Sequence, residues 1–165
     1  MAEAPAPLDT PTDLNRNATR SVADALNMAL ASSYTLYLKT KNYHWHVSGP
    51  HFRDYHLMLD EQAAQMLAVT DVIAERVRKT GNTTLRSIGD IGRRMSIRDD
   101  DRDFVPPDEM LAQLRDDNLK LVEVIRDARE RAEAARDTAT SSLADEWIDQ
   151  AEERAWFLFE ASRRA

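Results

Sequence analysis

Two long stretches of this chain, residues 12–47 and 51–80, contain neither proline nor glycine, and only Ser48-Gly49-Pro50 separates them. Proline removes a backbone donor and glycine costs helix entropy, so a stretch free of both can run as one unbroken helix. At ~1.5 Å per residue, 30 or more residues span roughly 45 Å. In the first stretch Val22, Leu26, Ala29, Leu30 and Ser33 recur at helical spacing. The pattern predicts a helix A over about 12–47, with Gly49 as its C-cap and Pro50 opening the next element. Helix B is expected from His51 to Thr80, ended by Gly81-Asn82.

Residues 81–107 gather Gly81, Gly89, Gly92, Pro106 and Pro107. They read as a connector with room for a short helix around 84–95. The remainder is too long for one ordinary bundle helix, and Asp137-Thr138-Ala139-Thr140-Ser141-Ser142 is rich in capping residues, so a break between helices C and D is expected there. Four long helices with one long B–C connection give an all-α, ferritin-like four-helix bundle, not a simple up-down bundle. Residues 1–12, with Pro5, Pro7 and Pro11 among small side chains, read as a mobile arm ahead of a single bundle domain over 13–165.

Composition narrows the chemistry. The absence of cysteine rules out disulfides and thiolate metal sites and fits a cytoplasmic setting. The 29 acidic against 22 basic residues give a net charge of −7, which attracts cations and repels polyphosphates. The N-terminus has no basic start followed by an apolar stretch, and no apolar run is long enough to cross a bilayer.

All four histidines, His44, His46, His51 and His56, fall near the predicted A–B junction. On helix B, His56 and Asp60 are four apart, as are Asp71 and Glu75, so all four share one stripe. Ala63, Ala64 and Leu67 lie close to that stripe and are expected to be buried. Carboxylates among buried residues need a counter-charge, either arginines of neighbouring helices or a bound cation. Asp60 and Asp71 are separated by roughly 16 Å of helix, whereas metal–oxygen bonds are only ~2 Å. The two pairs therefore cannot close on one ion within one chain. Either each forms an incomplete site, or two chains pack antiparallel about a two-fold axis. His44 and His46 face nearly opposite sides of helix A, and His44 is the one nearer the bundle. No Glu-x-x-His occurs anywhere, which argues against the usual intrachain di-iron arrangement.

The segment Lys41-Asn-Tyr-His44-Trp45-His-Val-Ser-Gly49-Pro50-His-Phe52-Arg-Asp-Tyr-His56-Leu-Met-Leu-Asp60-Glu61, with Asp71-x-x-x-Glu75 beyond it, resembles the signature of the Dps family, the mini-ferritins of starved bacteria. The resemblance covers roughly residues 17–165. It implies a hollow homo-dodecamer whose ferroxidase centres take His44, His56 and Asp60 from one subunit and Asp71 and Glu75 from its two-fold partner. It further implies oxidation of Fe(II), preferably by hydrogen peroxide, and storage of ferric mineral, with protection against oxidative damage. Zinc would compete for the same ligands. Trp45, beside His44, is expected either to capture stray oxidising equivalents, as is Tyr43, or to pack the dimer interface.

Two departures limit the resemblance. DNA binding in this family usually depends on a lysine-rich arm, and residues 1–20 here hold no lysine, only Arg16 and Arg20 against Glu3, Asp9 and Asp13. Arg163 and Arg164 are the only obvious basic patch. Weak or absent DNA binding is therefore expected, with a nucleoid-associated, DNA-shielding role as the alternative function. Many relatives also carry Asp-x-Ala-Thr-Ala-Asp-Leu at a pore, whereas here the second acid is Ser142. Asp137, with Asp145, Asp149 and Glu152 at helical spacing, is a pore candidate; the last three equally suit a solvated face.

Overall fold

A computed structural model describes residues 5–163, so residues 1–4, Arg164 and Ala165 lie outside the described residues. Among the described residues a short 3-10 helix (Ala6–Leu8) precedes five α-helices: α1 (Arg16–His46), α2 (Phe52–Lys79), α3 (Ile88–Arg94), α4 (Pro107–Ala134) and α5 (Thr138–Ser162). Among the described residues there is no strand. Asn15 caps α1, its side-chain oxygen accepting from the backbone N–H groups of Asn17 and Ala18. Pro107 occupies the first turn of α4, where its missing N–H costs nothing.

The long helices pair as α1 with α2, α1 with α4, and α4 with α5; α5 touches α2 only lightly, and α3 lies against α1. Their inward faces interlock through Leu26, Leu30 and Leu36 of α1, Leu59 and Ile73 of α2, and Leu114 and Ile125 of α4, each at most 2% exposed. This is the four-helix, ferritin-like bundle with a short helix in its long connection.

Four boundaries differ from the sequence reading, the first being the start of α1, which lies at Arg16 and not near residue 12. Val47, not Gly49, caps α1, and Gly49 (φ +115°) instead turns the chain two residues later. The connector helix is shorter than its window, beginning only where Ser87 caps it. The C–D break falls at 135–137, and residues 138–142 already belong to α5. That break is a Schellman turn: the Asp137 N–H donates to the Ala132 carbonyl and the Arg136 N–H to that of Glu133. Arg136 takes the left-handed position (φ +59°) that glycine usually fills, which is why no glycine marked the turn. The same turn closes α2, with Gly81 in the left-handed position.

Asp137 is the buried hinge of this corner. Its carboxylate accepts from the Thr140 N–H and hydroxyl and from Arg76 of α2 at 2.9 Å. With its side chain 1% exposed, it caps α5 and ties it to α2, a role within the subunit that the sequence reading had not given it. Asp137→Ala would take the carboxylate from the part-buried Arg76 and the cap from α5, and should cost about 3 kcal/mol of stability, read from urea unfolding; a loss below half that would mean that the corner does not depend on the ion pair.

Candidate metal centre

The tight 47–51 turn folds α2 back along α1, so the last turn of α1 meets the first turns of α2. His44 and His56 stack there, with ring centroids 3.8 Å apart and planes inclined by 19°. Each ring clasps the other's backbone: His44 Nδ1 lies 2.7 Å from the His56 carbonyl and His56 Nδ1 lies 2.8 Å from the His44 carbonyl. A carbonyl oxygen only accepts, so both Nδ1 atoms carry a proton, and it is Nε2 that each neutral ring would offer to a metal. Fixing the tautomer through Nδ1 is how proteins prepare a histidine for a metal. Phe52 covers the other side of His56 at 5.0 Å.

Asp60 lies one helical turn beyond His56, and its Oδ1 is 3.9 Å from His44 Nε2. Its nearest partner is Lys41, whose Nζ donates to Oδ1 at 2.6 Å and also sits 5.7 Å from the centre of the Trp45 ring. The Lys41 hydrogen bond and charge hold the Asp60 carboxyl below the usual carboxylate range, with smaller help from His44 and His56. A depressed carboxyl stays ionised to lower pH, so this ion pair is lost only as the medium becomes strongly acidic. Lys41 lies three residues before His44, hence on the same face, a relationship readable in the sequence but given no role there.

The structure therefore brings His44, His56 and Asp60 together. Asp71 and Glu75 stay apart, exposed further down α2, with Glu75 paired only to Lys79 at 3.3 Å. Among the described residues no three histidine, aspartate or glutamate side chains of one chain converge on a metal-sized site. His46 points away and donates through Nδ1 to the Asn42 carbonyl, and His51 leans on Tyr55.

The stripe carrying these carboxylates faces out of the bundle. Of the residues expected to be buried beside it, only Ala63 is; Ala64 and Leu67 are exposed, together with Leu57, Ala68 and Val72. Trp45 is exposed at 58%. Tyr43 points the other way: buried, it donates to Asp100 in the connector, with Gln113 Oε1 3.0 Å off. Burial, then the Asp100 hydrogen bond, pushes its phenol well above the ordinary value.

The bundle interior offers no alternative site. Where α2, α4 and α5 meet, buried Arg154 donates to Asn118 at 2.8 Å and to Gln65 at 2.7 Å, and burial pulls its pKa down to about 10. A resident cation among amides repels a metal ion. Of the remaining acids proposed for a pore, Asp145 pairs with Arg129 and Glu152 with Arg126, while Asp149 lies exposed beside them.

Comparison with known proteins agrees with this architecture. A family model described as a ferritin-like domain matches residues 23–163. The DNA protection during starvation protein of Halobacterium salinarum is 35% identical over 132 residues, 80% of this chain and 72% of that protein. A solved archaeal Dps homologue from the same organism superposes with a TM-score of 0.89 at 30% identity, covering 99% of this chain and 93% of that one. A Dps protein from Vibrio cholerae, described as a member of a broad superfamily of ferritin-like diiron-carboxylate proteins, gives 0.87 at 25% identity, covering 98% and 100%.

Replacing Lys41 tests the local electrostatics. Lys41→Met should let Asp60 titrate at higher pH, followed by carboxyl carbon NMR; an unchanged titration would show that Lys41 does not govern the carboxylate.

Proposed function

The chain belongs to the Dps family of ferritin-like proteins, and on that premise we propose that it oxidises Fe(II) at centres shared between two subunits and stores the ferric product in a dodecameric cage. The observation that carries this reading is the split of the ligand set along α2. His44, His56 and Asp60 form a prepared half-site, while Asp71 and Glu75 share its outward stripe but lie roughly 16 Å further along the helix.

An antiparallel second copy resolves the split. A two-fold axis passing near residue 66 would set Asp60 of each chain beside the Asp71–Glu75 turn of the other. Ala64, Leu67 and Ala68, exposed at that midpoint, suit close helix contact, and Leu57 and Val72 extend the apolar stripe to either side. Exposed in one chain, these residues would be covered in the pair. Trp45 would lie at the rim, packing the interface and giving up an electron to stray oxidants.

Fe(II) is the substrate, and imidazole with carboxylate ligands suits it. Carboxylate oxygen holds the harder Fe(III) more firmly, which favours oxidation. Hydrogen peroxide is the preferred oxidant. Two Fe(II) ions give one electron each, the O–O bond breaks, both oxygens end as hydroxide or oxide on Fe(III), and water bound to the ions releases protons. No hydroxyl radical leaves. Lys41 donates to the Asp60 oxygen nearest His44, so Fe(II) entering there would meet its repulsion and shift the ammonium aside. Zinc, with similar ligand preferences, would occupy the centre and inhibit.

The setting is cytoplasmic, with protection from oxidative damage as the outcome. Among the described residues no helix is long and apolar enough to cross a membrane. DNA binding is weak in the resting protein, given its net charge of −7 and an arm without lysine.

Anaerobic addition of Fe(II) and hydrogen peroxide, followed by ferric absorbance, tests the reading. His44→Ala and Asp71→Ala should each slow oxidation at least about tenfold. Parental rates in Asp71→Ala would remove the distal carboxylates from the site.

A further inference from the structure

Because α2 and α5 touch only lightly, a cleft of about 180 Å³ opens between them. Gln62, Gln65 and Glu61 of α2 face Arg154, Glu153 and Phe157 of α5 across it. At about 100° per residue, Gln62 and Gln65 lie on the opposite side of α2 from the stripe that carries Asp60 and Asp71. The cleft therefore shares a helix with the metal half-site but opens away from it.

Its floor holds a charge that the fold leaves uncompensated. Arg154 is 4% exposed, and among the described residues no carboxylate pairs with it. Its guanidinium donates to neutral amide oxygens alone, Nε to Asn118 at 2.8 Å and Nη1 to Gln65 at 2.7 Å, and Nη2 finds no acceptor among the described residues. Burial pulls its pKa down to about 10, and the neighbouring Glu153 carboxylate offsets that only in part. Beside it stands Gln62, 6% exposed, which donates through Nε2 to the Arg154 carbonyl at 3.3 Å. The buried Oε1 of Gln62 accepts from no described residue. A buried cation without a counter-ion and a buried acceptor without a donor are each costly, and here both line one cleft. Together they define a ligand that is an anion and also has a proton to donate.

We infer that this cleft binds inorganic phosphate in a protonated form, the unpaired N–H groups of Arg154 holding its charged oxygens and Gln62 Oε1 accepting from its hydroxyl. A planar guanidinium matches phosphate oxygens through paired donors. Chloride would neutralise Arg154 and leave Gln62 Oε1 unpaired, whereas water would satisfy Gln62 and leave the charge uncompensated. Glu61 and Glu153, exposed at the mouth, sharpen the choice among oxyanions. They repel a dianion such as sulfate, which also has no proton for Gln62, but they accept from a phosphate hydroxyl. Bound there, phosphate would link α2 to α5 where the bundle holds them least, and so stabilise the folded chain in proportion to its occupancy. The inference does not rest on the iron chemistry, since none of these side chains belongs to the proposed ferroxidase centre.

Calorimetric titration of the iron-free full chain with sodium phosphate, at constant ionic strength, tests this. A single phosphate should bind per chain, and sulfate at least about tenfold more weakly. Gln62→Leu should keep oxyanion binding but lose that preference. Arg154→Met, which replaces a buried charge by an apolar side chain, should fold and bind neither ion. Phosphate should also raise the melting temperature of the parent and not of Arg154→Met; should that variant fail to fold, the preference lost in Gln62→Leu decides alone. The inference is overturned if the parent takes up no phosphate, if sulfate binds as tightly, or if either variant behaves as the parent does. A phosphate monoester that binds more tightly than phosphate itself overturns it as well, because the ligand would then be an ester and not the free ion.

Discussion

The reciprocal clasp between His44 and His56 holds the site and the fold at the same point. Each imidazole donates through Nδ1 to the other's backbone carbonyl, at 2.7 and 2.8 Å, across the turn that joins the two longest elements of the N-terminal half. One pair of contacts sets how α2 returns along α1 and leaves Nε2 as the atom that each neutral ring would offer to a metal. Removing either ring would break one side of the clasp and take away one of the two near imidazoles. Asp60 then needs only to lie one turn along α2, and Lys41 supplies its counter-charge in the absence of a metal ion.

On the proposed reading, the subunit holds only half of a centre. The bundle interior, where an intrachain site would require inward carboxylates, holds Arg154 among amides. The carboxylates have moved to the outer stripe of α2, and the apolar residues beside them face outward too. Chemistry and assembly are therefore coupled through one helix face: the same Ala64, Leu67 and Ala68 that would bring two chains together would place Asp71 and Glu75 over the partner's histidines.

Much of the fold was legible in where proline and glycine fall, because a long stretch without either leaves helix as the cheapest way to satisfy the backbone. The long B–C connection and the capping run after residue 136 were legible for the same reason. The α4–α5 turn was misplaced by a few residues because Arg136 adopts a conformation that sequence attributes to glycine. For the site, helical spacing showed which residues share a stripe, and the rise per residue showed that they cannot share an ion. What spacing could not show was which way the stripe faces: Leu67 looks like a core residue until the bundle is seen to bury Ala63 and Met66 instead. Asp137 was read as a pore candidate because a helix-capping aspartate and a pore-lining one read alike in sequence; in the fold it caps α5. The docking of Leu8 on Arg78 was invisible for a different reason, since the two meet only through tertiary packing.

The central claim, that one centre draws ligands from two chains, is tested most directly by complementation. His44→Ala and Asp71→Ala chains, each inactive alone, would be unfolded together, refolded as a mixture and assayed for peroxide-driven Fe(II) oxidation. A mixed pair keeps one centre with every ligand intact, so random pairing should restore about a quarter of the parental rate. Activity that stays at the level of the separate variants would mean that His44 and Asp71 serve the same chain, and the shared centre would be wrong.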